Sequence, residues 1–175
     1  MSVFHPHPAQ MDRDGFMALF GAVYEHSPWI AAAAYDAGLP RDAERPEGLA
    51  RALAAPIDAA APEHKRALLD AHPDLAGRLA VAGALTATSS AEQASAGLDQ
   101  CSEAEYDAFA RLNASYRARF GFPFIMAVRG RNRSEILAAF QARLENSPET
   151  EFETALREVH RIAYLRLDAL AGSGR

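Results

Sequence analysis

The sequence is poor in the features that most often announce a function. It holds one cysteine, Cys101, in 175 residues. No disulfide can form within the chain, and no cysteine-based zinc site can be assembled from it alone. Basic residues are not in excess: 18 Lys and Arg stand against 23 Asp and Glu, a formal net charge of −5. Such a chain is a poor non-specific binder of nucleic acid or of an anionic membrane. The longest apolar run, Trp29 to Tyr35, falls far short of the roughly 20 residues a membrane-spanning helix needs. A glycine-rich phosphate loop, His-Glu-x-x-His, Gly-x-Ser-x-Gly and paired Cys-x-x-Cys are all missing, which removes the nucleotide- and metal-dependent classes that declare themselves in sequence. The stretch from Met1 to Asp12 has no apolar core behind a basic region, unlike a secretory signal. The final Ala-Gly-Ser-Gly-Arg carries no peroxisomal or endoplasmic-reticulum address. These absences lead to the expectation of a soluble cytoplasmic protein, with neither nucleic acid nor membrane among its partners.

What is present is an ordinary globular composition, 49% apolar and 23% charged, sufficient for a sizeable buried core at this length. The pattern is almost wholly helical. Asp12 is placed to cap a helix on which Phe16, Leu19, Phe20 and Val23 recur at helical spacing. Ser27-Pro28 opens a second helix, and Gly38 ends it. Pro46 and Pro62 begin two more, the latter forced to stop near His72 by Pro73. Ser89-x-x-Glu92 has the form of a capping box, and Ser90-x-x-Gln93 is a second register of the same signal. Another box, Ser102-Glu103-Ala104-Glu105, precedes a stripe of Tyr106, Phe109, Tyr116 and Phe120. Ser134 and Ser147-Pro148 open the last two helices. Only the run from Phe122 to Val128, broken by Pro123, resists. With no partner strand evident it reads as extended chain or the start of a buried helix. The expectation is an all-α fold: a single-domain bundle of about seven or eight helices over residues 1–175, with 1–11 a flexible tail.

Two stretches invite chemistry. In Ala71-His72-Pro73-Asp74-Leu75-Ala76-Gly77 a histidine follows a helix whose C-terminal dipole favours its charged form. The tight loop behind it is a frame on which polar side chains can be positioned; the bland alternative is a helix cap with a turn. From Ser89 to Leu98 the hydroxyls and Glu92 satisfy a helix terminus by themselves. The same terminus can hold an anion, with Glu92 orienting His72. Spacing alone does not separate these readings. Arg129-Gly130-Arg131-Asn132-Arg133 is a small basic cluster, more simply a solvated loop. Cys101 has no base beside it in sequence and is unsupported as a nucleophile. His26 reads as a helix-end residue, and His64 and His160 as exposed ones.

Taken in order, Tyr24-Glu25-His26-Ser27-Pro28-Trp29, His72 to Gly77, Ser89 to Leu98 with its Glu92-Gln93, Arg111-Leu112-Asn113, Phe120-Gly121-Phe122-Pro123-Phe124 and Leu165-Arg166-Leu167 resemble one family. This is 2-oxo-4-hydroxy-4-carboxy-5-ureidoimidazoline (OHCU) decarboxylase, an enzyme of urate breakdown. Each motif is weak alone; their fixed order makes them specific. The resemblance implies an all-helical homodimer that needs no metal or organic cofactor and converts OHCU to (S)-allantoin with loss of CO₂. It implies His72 as the catalytic acid/base and Glu92 as its partner. Pro73, Ser89, Ser90, Ala91 and Gln93, with the backbone of Phe124, Ile125, Met126, Ala127 and Val128, would line the substrate, and Arg166 would reach in from the last helix. The chemistry is compatible: the carboxylate sits beside a C=N bond that can take the electrons released, and a histidine of pKa about 6.5 can move protons near neutrality. Two other readings remain at this stage. One is a non-catalytic helical protein-interaction module, in which His72 and Glu92 only terminate helices. The other is a metal-dependent helical hydrolase using His26 and His72.

Overall fold

The computed structural model describes residues 3–76 and 86–173. Among the described residues there are eight α-helices, three short 3₁₀ turns and no strand. The all-α expectation holds. Gly77, at the end of the His72 motif, lies outside the described residues. No helix among them is long and apolar enough to cross a membrane.

Most helices begin where local chemistry says they should. Helix α1 (Arg13–Phe20) is capped by Asp12, whose carboxylate accepts from the Gly15 N–H at 2.7 Å. Helices α2 (Pro28–Asp36), α3 (Pro46–Asp58) and α4 (Pro62–Asp70) each carry proline in the first turn, where its missing N–H is no loss. Gly48 sits inside α3 because a Cβ there would fall 2.0 Å from the Asp42 carbonyl oxygen, so the preceding 3₁₀ turn can approach only a glycine. Helix α6 (Glu103–Phe120) has both arms of the Ser102/Glu105 capping box. It stops at Gly121, whose φ of 78° is the left-handed conformation that glycine alone adopts freely. Helix α8 (Pro148–Ser173) closes the chain.

Two starts differ from the sequence expectation. Helix α5 (Ala87–Ser95) is capped by Thr86, whose hydroxyl accepts from the Ser89 N–H at 3.2 Å. Ser89, Ser90 and Glu92 therefore lie within the helix, and neither proposed serine box forms. Thr86 offers an equivalent acceptor three residues earlier. Helix α7 (Arg133–Leu144) is capped by Asn132 in a box with Glu135, not by Ser134.

The backbone divides into two compact units, residues 1–71 with 159–175, and residues 72–158. In the first, Phe16, Phe20, Ile30, Leu49, Leu53, Ile57, Leu68 and Leu69 are buried. From α8 it takes the stripe Val159, Ala163 and Leu167, spaced to share one helical face. The segment expected to be a flexible tail is docked from Phe4 onward. Phe4 is 5% exposed, meets Phe20 edge-on at 5.1 Å and donates its N–H to the Glu44 carbonyl. His7 caps the next 3₁₀ turn.

The second unit is organised on Tyr116, whose ring lies within 6 Å of Phe120, Phe122, Phe124 and Phe140. Phe124 and Phe140 stack at 3.7 Å. The run Phe122 to Val128 is buried throughout, in neither helix nor strand. Buried irregular backbone must find partners for its polar groups, and here side chains supply several. Arg143 Nη1 donates to the Ile125 carbonyl at 2.7 Å, and the Ala127 N–H donates to Glu158 at 2.7 Å. Arg143 lies 4.4 Å from the Phe124 ring centroid and pairs with the fully buried Glu151. Glu151 also accepts from Tyr116 and Asn146.

Candidate active site

Helix α4 ends at Asp70 with Ala71 as its cap, and His72 follows at 7% exposure. Pro73 prevents the helix from continuing. The loop then passes through Ala76 at φ 47°, a left-handed conformation that costs an alanine about 1–2 kcal/mol. Something must hold it there, and three side chains do, at three consecutive residues. Arg117 Nε donates to the Asp74 carboxylate at 3.0 Å. Asn113 Nδ2 donates to the Leu75 carbonyl at 2.9 Å. The Ala76 N–H donates to Gln93 Oε1 at 3.0 Å. Asn113 and Arg117 are one turn apart on α6; Gln93 is on α5.

Helix α5 presents Ser89 and Gln93 on its buried face, followed by the buried cap residue Ala96, with Glu92 half-buried and Ser90 and Ala91 exposed. The five α5 positions expected at the site are thus split between faces. Gln93, expected to touch substrate, has its carbonyl oxygen committed to the His72 loop. In the Phe124 to Val128 segment the Ala127 N–H is committed to Glu158, and the Val128 carbonyl accepts from the Arg131 N–H.

Arg166 belongs to the first unit. Its guanidinium is buried and donates to the Val23 carbonyl and to Glu25, each at 3.1 Å. Glu25 sits in a turn closed by the Ser27 N–H on the Tyr24 carbonyl, with His26 at φ 53°. The Tyr24 hydroxyl lies 2.8 Å from His160 Nδ1, and His160 Nε2 is 3.6 Å from Asp58. His160, expected to be exposed, is half-buried, and that burial lowers its pKa against the opposing pull of Asp58.

Sequence reasoning missed the parts played by Glu25 and Asn113. Both stand in motifs quoted for the resemblance, but nothing local distinguishes a glutamate in a turn or an asparagine in a helix from its solvated counterparts. Asn113 is 6% exposed, and its Oδ1 has no hydrogen-bond partner among the described residues. A buried unsatisfied acceptor costs about 1–3 kcal/mol. Turning the amide over would set oxygen against the Leu75 carbonyl, so the chemistry fixes its orientation.

The remaining candidates have plain explanations. Arg133, in the basic cluster, pairs with Glu105 and donates to the Gly97 and Gln100 carbonyls, fastening the connection between α5 and α6. The Cys101 thiol is pushed up, first by burial and then by Glu105, away from the reactive thiolate. His26 is exposed. Among the described residues no group of three or more His, Cys, Asp or Glu side chains is disposed to hold a metal ion.

Comparison with known proteins decides the family. The family model described as OHCU decarboxylase matches residues 9–168. The chain belongs to the OHCU decarboxylase family. It is 46% identical to the 2-oxo-4-hydroxy-4-carboxy-5-ureidoimidazoline decarboxylase of Haloferax volcanii, over 90% of each chain. It is 40% identical to the protein of the same name from Mus musculus, over 93% of this chain and 90% of the mouse one. Among solved structures it resembles an (S)-allantoin synthase with a TM-score of 0.72 and 31% identity. That match covers 93% of this chain and 52% of the synthase chain, so the present protein spans about half its length.

Proposed function

We propose that the protein decarboxylates OHCU to (S)-allantoin in urate catabolism, with His72 as the proton-transfer residue. The observation that carries this reading is the His72 loop: a nearly buried histidine on a strained turn, tied down at three successive residues by side chains from α5 and α6. That is more restraint than a helix terminus requires, and catalysis by a positioned acid or base is sensitive to such placement.

The bond between the carboxylate carbon and the hydroxyl-bearing carbon breaks, and its electron pair flows into the adjacent C=N, whose nitrogen takes up a proton. The resulting enol loses its hydroxyl proton as the neighbouring carbon gains one, so the reaction consumes one proton overall and leaves a chiral carbon. His72 moves these protons. Glu92, half-buried on α5, sets its tautomer and orients its ring. Ser89 and the buried Phe124 to Val128 segment exclude water, which strengthens the polar contacts that remain. Arg166, its guanidinium fixed by Glu25, meets the substrate's anionic group. Pro73, Ser90, Ala91 and the Gln93 amide nitrogen complete the contacts that the family pattern assigns. Residues 1–175 act as one catalytic domain, as a homodimer, in the cytoplasm and without a cofactor.

The test is to generate OHCU in situ from urate and follow the allantoin by circular dichroism. Excess (S)-allantoin, formed faster than in the absence of protein, is the expected result. Racemic allantoin at the uncatalysed rate would contradict it.

A further inference from the structure

We propose that Gln93 and Asn113 are positioning residues for His72: Gln93 locks the His72 loop to the helix that carries Glu92, and Asn113 locks it to α6. The inference rests on the acid/base reading of His72 and deepens it.

Between His72 and Ala76 stand only Pro73, Asp74 and Leu75, and Pro73 has a fixed φ. Pinning Leu75 and Ala76 therefore pins His72. The two pins are buried, Gln93 at 5% and Asn113 at 6% exposure, so water cannot substitute for either. Each closes a backbone group that the irregular loop would otherwise bury unpaired. Gln93 is the immediate neighbour of Glu92 on α5, so the bond from the Ala76 N–H makes the proposed acid/base and its carboxylate partner move as one body. Asn113 accomplishes its part at a cost in stability, since its own Oδ1 is left without a partner among the described residues. An apolar residue of the same size would avoid that cost, but it would release Leu75. The Gln93 Nε2 can still donate to substrate while its Oε1 accepts from the Ala76 N–H, so the pin and a substrate contact can share one side chain, and Asn113 is the pin whose loss reads His72 alone.

Gln93→Met keeps the length of the side chain and removes the acceptor; Gln93→Glu keeps an acceptor oxygen. With OHCU as substrate, Gln93→Met should lower kcat at least tenfold, and Gln93→Glu should recover most of that loss. Asn113→Leu, at a residue not expected to touch substrate, should lower kcat at least tenfold with KM within about twofold. Should Gln93→Met not fold, Gln93→Asn, which withdraws the acceptor by one methylene, gives the same reading. In the same folded variants the His72 ring signal, sharp in the wild-type NMR spectrum, should broaden or split. A lowered melting temperature with unchanged kcat and an unchanged His72 signal would overturn the proposal, since the bonds would then serve stability alone. In Asn113→Leu, a tenfold rise in KM at constant kcat would also overturn it, since the loop would then serve binding and not proton transfer. If the wild-type protein itself fails to turn over OHCU, the functional reading falls, while the NMR signal still decides whether Gln93 and Asn113 hold His72.

Discussion

The second unit contains two stretches that are neither helix nor strand, and they are held by different proportions of packing and hydrogen bonding. Phe122 to Val128 is wedged: its rings pack around Tyr116 and Phe140, and a buried ion pair, Arg143 with Glu151, stands beneath it. The His72 loop is pinned, residue by residue, through directional hydrogen bonds. Packing against aromatic rings fixes where the first surface lies and keeps water from it, and side-chain hydrogen bonds at Ile125 and Ala127 orient its backbone. Hydrogen bonds at successive residues fix direction. The difference is what a wall and a proton-transfer group respectively need.

The largest effect should come from breaking the wedge. Arg143→Met strands the Glu151 carboxylate in the core, and losing one partner of a buried pair costs about 3–5 kcal/mol. Urea denaturation should show it. A loss under about 1 kcal/mol would mean that the rings alone carry the segment. The next effect should be on rate. Because Glu92 lies within α5 rather than at its cap, Glu92→Gln has no capping role to disturb. Turnover should fall more than tenfold, equivalent to about 1.4 kcal/mol, with the melting temperature nearly unchanged. An unchanged rate would detach Glu92 from His72. The smallest effect should follow removal of the outermost pin. Arg117 and Asp74 are 44% and 31% exposed, and such ion pairs contribute about 0–1 kcal/mol. Arg117→Ala should therefore lower stability by less than about 1 kcal/mol in the same titration. A loss above about 2 kcal/mol would show that the loop is held from its exposed side and not from Gln93 and Asn113.

The same contrast explains what could be read from sequence. Helix starts at Pro28, Pro46, Pro62, Ser102 and Ser147 were legible because a cap acts within three or four residues of itself. Where two acceptors compete locally, as Thr86 with Ser89 and Asn132 with Ser134, the pattern does not choose between them. For Phe122 to Val128, Pro123 and the lack of a partner strand left extended chain or the start of a buried helix, and no helix forms there. Docking of the first residues was not, because a lone Phe4 carries no periodicity. At the site, His72 was legible because Pro73 must end its helix. Its restraint was not, since Asn113 reaches Leu75 across 38 residues; nor, in the first unit, was the fixing of Arg166, which reaches Glu25 across 141. No local pattern encodes a bond of that span.

The claim most open to direct test is that His72 transfers the proton. In His72→Asn the ring is gone, but a polar side chain of similar reach remains on the pinned loop. Single-turnover assay of this variant with OHCU generated in situ should show the rate of (S)-allantoin formation reduced by ~10²-fold or more, with the far-ultraviolet dichroism and melting temperature of the wild-type fold. Stereospecific allantoin formation at near wild-type rate by the folded variant would contradict the account.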